Sequence, residues 1–425
     1  MSVPDFIVSS KASGLFLSWV KNGIFATFVD ADYKNENYVT YTSYTSYPFK
    51  DTLYPAWMDS YDFTEEFLSR LNLDFNKEIF VEGVPVLISN QKTYKNLHKG
   101  INQIISVHAT LPHVERYLKE SRLNSISLSK LNEVELIKNT SLLKLDENII
   151  IVELDFFRIR VLEFTPVTLG GNVTWDYHIS ELRFKDVNEI IERALTGEVK
   201  RFLKDTSSAA NFNDSFINAL FYTPAKTSSL LMLDIFRAYY MDVLLGLNDI
   251  MKLSEKRSGF IFLTGEIPAY MDSHPDLLLL LIDSLNLKGL WGISLDTSAS
   301  LLPMLSSDTK IMPIPSGVFL SEMYVVYVPE ILEESEIVFL NDKKFLGASG
   351  DIFTFNKNDI KLNREPLEVV VPNKMYLSTP DNIDVLGLIM DLRERPIEYG
   401  PGPVENSSRI RAWLSRLQKV EDSRG

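Results

Sequence analysis

The sequence predicts an α/β protein with two similar lobes, a small all-β domain and a short C-terminal helix. One observation is a run of three strands followed by a helix, which occurs twice along the chain. Another is a later region of short β-like runs at even spacing, followed by an amphipathic helical pattern. The predicted parts are the first lobe at 1–145, the second lobe at 146–302, the β-rich domain at 303–405 and the terminal helix at 406–425.

Composition indicates an ordinary globular protein. The 425 residues suffice for two or three domains of the usual ~100–200 residues. The 57 acidic and 43 basic side chains give a net charge of −14, which argues against nucleic acid as a partner. The absence of cysteine excludes disulfides, cysteine metal sites and thiol nucleophiles. The N-terminus does not resemble a leader, and the longest apolar run, at 277–282, is short for a membrane span, so we expect a cytoplasmic protein without an anchor.

The first lobe begins with three strands within residues 14–47, the third of which alternates Tyr and Thr. An amphipathic helix follows near residues 59–71, with Asp59 or Ser60 as its cap. A strand is then predicted in EIFVEGVPVLIS, a short apolar stretch in INQIISVHA and a helix in LPHVERYLKESRL. Strands followed by helices are typical of an α/β layer.

The second lobe repeats this order from residue 146. ENIIIVEL is a buried strand, and RIRVLEFTPV and TWDYHISELRF are joined by a hairpin turn at Gly170 and Gly171. Helices are predicted in DVNEIIERALTGEVKRFLK and across residues 213–253. The strand SGFIFLTG then ends in Gly265, and the helix HPDLLLLLIDSLNL and the strand GLWGISLD follow.

The sequence pattern changes in the last third of the chain. Short β-like runs are separated by Asn, Asp, Gly, Lys and Pro, as in VFLSEMYVVYVP, EIVFL, IFTF, LEVVVP and VLGLIMDL. The terminal helix SRIRAWLSRLQKV has Ser407 or Ser408 as its predicted cap. Its apolar stripe consists of Ile410, Trp413, Leu414 and Leu417.

Two segments carry a resemblance to a known family. FLTGEIPAYMDSHPDLLLLLIDSL, from Phe262 to Leu285, resembles a conserved block of the glutamate mutase L type of protein, in the actin-like ATPase superfamily. VLGLIMDLRERPI at 385–397, followed by Arg409, Arg411 and Trp413, is similar to the closing stretch of that family. The resemblance implies that the two lobes are actin-like (RNase H-like), as in actin, sugar kinases and Hsp70, with ATP and magnesium as cofactors.

Departures from the family pattern fall in the three turns that face phosphate. Trp19 stands where the resemblance implies a magnesium-side aspartate, and an indole cannot bind magnesium. In the second lobe Asp155 and Phe156 replace both glycines, and Glu266 replaces a glycine in the third turn. If nucleotide is bound at all, the resemblance assigns it to Glu153, Asp155, Thr264 and Gly265.

Two groups of residues allow two interpretations each. Glu153 and Asp155 alternate on a strand, so they either form a carboxylate pair or are two solvated acids at a strand end. The C-terminal helix with Arg409, Trp413 and Arg416 either docks on an acidic partner or membrane, or packs back on its own body.

The leading hypothesis is a non-catalytic actin-like scaffold that needs no cofactor and acts through contacts with a protein partner. One alternative is a remodelled ATP-binding protein or ATPase chaperone, with ATP and magnesium as cofactors, related to reactivation of a cobalamin-dependent mutase. Another is a cytoplasmic platform of an envelope assembly machine, which would need a membrane partner.

Overall fold

The computed structural model describes eighteen stretches of the chain, and all structural statements below concern them. The described residues are 11–20, 23–32, 37–46, 103–109, 147–155, 158–169, 172–183, 256–270, 274–297, 299, 301–305, 322–330, 335–340, 343–356, 368–371, 375–378, 384–394 and 403–421. The chain divides into two compact units, residues 1–143 with 298–319 and residues 144–297 with 320–425. The helices predicted near 59–71, in LPHVERYLKESRL, in DVNEIIERALTGEVKRFLK and at 213–253, and the strand EIFVEGVPVLIS, lie outside the described residues.

The first unit contains a four-stranded sheet of order β3-β2-β1-β4. Its strands are β1 (Lys11–Val20), β2 (Gly23–Asp32), β3 (Asn37–Ser46) and β4 (Gln103–Ala109). β1 to β3 form an antiparallel meander, and β4 pairs with β1 in parallel. The three strands predicted within 14–47 are therefore confirmed.

The second unit contains a mixed sheet of eight strands in the order β13-β16-β10-β9-β8-β5-β6-β7. Its strands are β5 (Ile149–Leu154), β6 (Arg158–Leu169), β7 (Asn172–Arg183), β8 (Ser258–Thr264), β9 (Gly289–Leu295), β10 (Glu322–Val328), β13 (Ile352–Asn356) and β16 (Asp384–Asp391). The central strands β5, β8 and β9 run parallel to one another, and each is almost entirely buried. A mixed α/β fold with one large sheet confirms the α/β class that the sequence predicts.

The same strand arrangement occurs in both units. β5, β6 and β7 form an antiparallel meander, and β8 pairs with β5 in parallel, as β4 pairs with β1 in the first unit. The repeat of three strands seen in the sequence thus reappears as a repeat of sheet topology.

The predicted β-rich segment at 303–405 is divided between two sheets. Three of its strands, β10, β13 and β16, complete the eight-stranded sheet. The others form a four-stranded antiparallel sheet of order β12-β11-β14-β15, made of β11 (Ser335–Leu340), β12 (Lys343–Ala348), β14 (Glu368–Val371) and β15 (Met375–Ser378). The arrangement differs from a separate all-β domain because β10 pairs with β9 through backbone hydrogen bonds, which joins part of this segment to the large sheet.

Four helices are described, α1 (Glu266–Tyr270), α2 (His274–Ser284), α3 (Leu301–Leu305) and α4 (Pro403–Glu421). The leucine-rich α2 is buried from Pro275 to Ser284, so its apolar run belongs to the core of the second unit. No described helix combines the length and apolar character that crossing a membrane requires.

The start of the C-terminal helix differs from the prediction. The structure begins α4 at Pro403, so Ser407 and Ser408 lie inside the helix and neither caps it. Proline suits the first helical turn because its missing N–H would have no partner there and its φ is already helical. The cap prediction was wrong because it relied on the serines and passed over that proline.

Candidate functional site

The carboxyl ends of β5, β8 and β9 meet at one border of the large sheet, which we call the carboxyl edge. Asp155 follows β5, Gly265 follows β8 and Asp296 follows β9. In open sheets with parallel strands, ligands bind in the crevice beyond these ends. The carboxyl edge is therefore the candidate functional site of the second unit.

Backbone register and hydrogen bonds hold the edge together. Glu153 is the register partner of Thr264 in the parallel pair of β5 and β8. The Thr264 hydroxyl donates to Asp296 Oδ2 at 2.7 Å, and the Asp296 N–H donates to the Leu263 carbonyl at 2.8 Å. Asp296 was not among the predicted site residues, although its position directly after an apolar strand is a signal that could have identified it.

At Gly265 the turn after β8 comes close to the end of strand β5. Its φ is +106°, and a Cβ added there would lie 2.7 Å from the Leu154 carbonyl oxygen and 2.9 Å from Asp155 Oδ1. Both the backbone conformation and the space therefore require glycine. The structure thus brings the predicted residues Glu153, Asp155, Thr264 and Gly265 to one place.

We expect Gly265→Ala to lower the free energy of unfolding by about 2–4 kcal/mol, because it adds a steric clash with β5 to the strain of a positive φ. Gly350→Ala is the matched control, since Gly350 has a φ of +99° but no atom within 4 Å of the added Cβ. Urea unfolding of both variants separates the two contributions. Equal losses in the two variants would contradict a role for close packing at Gly265.

The two predicted carboxylates are buried and paired with arginines. Arg158 Nη2 lies 3.1 Å from Glu153 Oε1 and 3.1 Å from Asp155 Oδ2, so both acids face the same side of the sheet. Arg160 Nε donates to the other oxygen, Glu153 Oε2. Glu153 and Asp155 have 0% relative exposure, which contradicts the interpretation of two solvated acids.

The charges continue in register across the neighbouring strands. Glu153 on β5 pairs with Arg160 on β6, which pairs in turn with Glu181 on β7. Glu181 also forms an ion pair with Arg183 of its own strand. One face of these strands therefore alternates acidic and basic side chains next to the carboxyl edge.

Arg158 and Arg160 were missed as site residues. The signal was the Arg-Ile-Arg alternation at the start of β6, shortly after two alternating acids, because period two places each pair on one face of its strand and the antiparallel register then brings the pairs together. Burial lowers the pKa of Arg160 from its usual value, and the charge of Glu153 opposes that effect. Arg160 Nη2 has no hydrogen-bond partner within the described stretches.

Glu153 and Asp155 do not belong to a metal-binding group among the described residues. Within the described part of the chain, no cluster of three or more His, Asp or Glu side chains could hold an ion. Both oxygens of Glu153 and one oxygen of Asp155 already accept bonds from arginines. A divalent ion would have to displace a buried guanidinium from these oxygens.

Trp19 occupies the position in the first unit that corresponds to Glu153. Each is the last residue but one of the first strand of its meander. The backbone of Trp19 pairs with Ala109 of the parallel strand β4, as that of Glu153 pairs with Thr264 of β8. Glu266, the other predicted departure, is the first residue of α1.

The C-terminal helix packs on β13, β16 and α2 of its own unit. Trp413 is buried beneath the Arg393 guanidinium, whose central carbon lies 4.4 Å from the ring centroid. Arg416 pairs with Asp351 and donates to the Ile352 carbonyl at 3.2 Å. Of the residues predicted to bind a partner, Arg409 is the exposed one.

Arg393 joins three elements of the second unit. Its Nη2 lies 2.6 Å from Asp283 Oδ1 on α2 and 2.6 Å from Asp391 Oδ2 at the end of β16. Burial alone would lower the pKa of Arg393, but the charges of Asp283 and Asp391 outweigh it and raise that pKa. Asp391 and Arg393, which lie in the stretch 385–397 that carries the sequence resemblance, thus belong to a buried ion cluster.

Comparisons with known proteins give structural likenesses of low similarity. No protein-family model and no curated protein sequence matches the chain. The structure is similar to ethanolamine utilization protein EutJ from Carboxydothermus hydrogenoformans, with 9% identity, 69% of this chain and 88% of that chain covered, and a TM-score of 0.34. A Bacteroides thetaiotaomicron protein of unknown function with an actin-like ATPase fold gives 11% identity, 72% and 98% coverage, and a TM-score of 0.29.

An Aquifex aeolicus member of the Ppx/GppA family is also similar, with 10% identity, 61% of this chain and 68% of that chain covered, and a TM-score of 0.28. Scores this low do not establish a common fold. The fold is therefore described by the strand topology of this chain alone.

Proposed function

We propose that this chain is a non-catalytic member of the actin-like superfamily that acts through contacts with a protein partner. The observation that carries the proposal is the pairing of Glu153 and Asp155 with Arg158 and Arg160. The assignment to the superfamily is supported by the repeated meander with a parallel fourth strand, and by the glycine turn after the apolar strand β8.

The arginines oppose magnesium binding in two ways. Magnesium requires near-octahedral oxygen ligands at about 2.0–2.1 Å, and the oxygens of Glu153 are already held by Arg158 and Arg160. Displacing the arginines would leave buried cations without their carboxylate, which costs several kcal/mol. The acids at this edge are therefore better suited to holding the sheet together than to holding a metal.

The first unit supports the same conclusion. Trp19 offers no oxygen ligand at the position that matches Glu153, so neither meander presents a free carboxylate there. The first unit has no carboxylate at this position, and the carboxylate of the second unit is neutralised by arginines. Both differences weaken the binding of magnesium, the cation that would neutralise the phosphates of a nucleoside triphosphate.

A second candidate function is a remodelled ATP-binding protein, of the kind that the resemblance to glutamate mutase L type proteins implies. The turn at Thr264 and Gly265 favours it, since this turn retains a small hydroxyl side chain and a glycine with positive φ at the carboxyl edge. Such a turn allows backbone N–H groups to approach a phosphate.

Calorimetric titration of the full chain with ATP and magnesium tests the proposal. We expect no saturable heat up to about 1 mM ATP, which corresponds to a binding free energy weaker than about −4 kcal/mol. Micromolar binding that requires magnesium would contradict the proposal and support the second candidate.

The variant Thr264→Val serves as the control for location. It keeps the shape of the side chain and removes the hydroxyl that donates to Asp296. If ATP binds the unmodified chain, loss of binding in Thr264→Val assigns the nucleotide to the carboxyl edge. Unchanged binding in the variant places the nucleotide elsewhere and leaves the carboxyl edge as a structural ion cluster.

A further inference from the structure

Exposed apolar side chains are concentrated on the small four-stranded sheet. The described residues include four large apolar side chains that are exposed, and three of them, Phe339 at 39%, Leu346 at 56% and Val370 at 39%, lie on β11, β12 and β14. Contiguous exposed apolar surface is typical of binding sites.

Strand register places these three side chains on one face. Phe339 pairs directly with Val370 on one side and with Lys344 on the other. Leu346 lies two residues along β12 from Lys344, so it points to the same face. We call Phe339, Leu346, Val370 and Lys344 the outer face of this sheet.

The opposite face of the sheet is covered. Val338 and Phe345, which alternate with outer-face residues along their strands, are buried, and so is Leu377, which pairs with Val369 next to Val370. The Phe345 ring packs against Phe355 of β13, with 4.6 Å between ring centroids. The sheet is thus held to its unit by one face and presents the other to solvent.

Strand β12 forms an end of the sheet within the described residues. Such a strand presents backbone N–H and C=O groups along its outer side, which a further strand can pair with. Two exposed side chains lie two residues apart on one face of β12: the positively charged Lys344 and the apolar Leu346. An added strand would be matched best by an acid opposite Lys344 and an apolar residue opposite Leu346.

We propose that β12 is a docking edge for an extended segment of a partner protein that alternates acidic and apolar side chains. The segment adds a strand beside β12 and covers Leu346, with carboxylates placed against Lys344. This inference rests on the proposed function, since it names the surface through which a non-catalytic protein would meet its partner.

A second copy of this chain fits the edge less well. The six residues of β12 include two lysines and no acid, so self-pairing provides no opposite charge. Local charge therefore favours an acidic segment of another protein.

The experiment uses a phage-displayed library of random 12-residue peptides selected against the full chain. We expect the enriched peptides to carry Asp or Glu two residues from a large apolar residue. In fluorescence anisotropy with the synthesised peptides, we expect Leu346→Ser and Lys344→Glu each to weaken binding about tenfold. Tyr177→Ser, at a 37% exposed tyrosine on the other sheet, is the matched control and should leave affinity unchanged.

Three results would overturn the proposal. They are failure to enrich any peptide, enrichment of basic peptides, and equal affinity for the unmodified chain and Leu346→Ser. Sedimentation equilibrium adds a fourth, because a dimer that Leu346→Ser abolishes would assign the edge to a second copy. If no peptide binds and the ATP titration gives no heat, only the docking edge is contradicted. If ATP binds in a magnesium-dependent way and the peptides still bind, only the non-catalytic assignment is contradicted.

Discussion

Replacing Arg393 with alanine is expected to lower the free energy of unfolding of the second unit by about 3–5 kcal/mol. The substitution leaves the buried carboxylates of Asp283 and Asp391 without the guanidinium that bonds both. It also removes the cation that lies over the Trp413 ring. Because α2, β16 and α4 all lose contacts with the same side chain, we expect the loss of stability to affect the whole unit.

Urea unfolding followed by circular dichroism measures this effect. Arg411→Ala is the matched control, because Arg411 is exposed on α4 and its removal should change stability by less than about 0.5 kcal/mol. The conservative variant Arg393→Lys should recover only part of the loss, since an ammonium group cannot reproduce the planar fork that bonds two carboxylates. A loss in Arg393→Ala no larger than in Arg411→Ala would show that the cluster contributes nothing to stability.

Replacing Glu153 with alanine is the second large expected effect, again about 3–5 kcal/mol. Glu153 is the carboxylate that both Arg158 and Arg160 contact, and all three side chains are buried. Its removal leaves Arg160 in an environment that already lowers its pKa through burial. The remaining charge is then costly to keep in the folded state.

Glu181→Ala is the matched control for Glu153→Ala. Its side chain is 24% exposed and pairs with an exposed Arg183, so the expected loss is only about 0–1 kcal/mol. Thermal or urea unfolding of the two variants shows whether Glu153 belongs to an ion cluster that stabilises the fold or is a carboxylate that folding does not need. If Glu153→Ala unfolds like the unmodified chain, the carboxylate is not needed for folding and a ligand-binding role regains support.

Much of the sheet could be predicted from local sequence, because its inner strands are short apolar runs between turn residues. β5, β8 and β9 follow that pattern and were found as expected. β12 was missed because lysines and a glycine interrupt its alternation, and the four-residue β15 is too short to show a period. Local patterns also contain no information on pairing, so the placement of β16 between β10 and β13 could not be predicted.

The candidate site was predicted in part, because its acids and its glycine turn were identified and its arginines were not. The turn after β8 and the two acids of β5 were identified, and they do meet. What the acids do depends on which side chains face them across the sheet, and Arg158 and Arg160 come from the next strand. A cross-strand reading of alternating charges at the start of β6 would have predicted neutralised carboxylates.

The position of β16 has a consequence for synthesis of the protein. Ribosomes release a chain from its N-terminus at about 5–20 residues per second, so β10 and β13 emerge before the strand that lies between them. Among the described strands, β13 has no neighbour in the large sheet and β10 has an unpaired side until residues 384–391 emerge. A nascent chain stalled in this interval would expose strand edges that invite aggregation, so chaperone demand during translation should peak just before β16 is made.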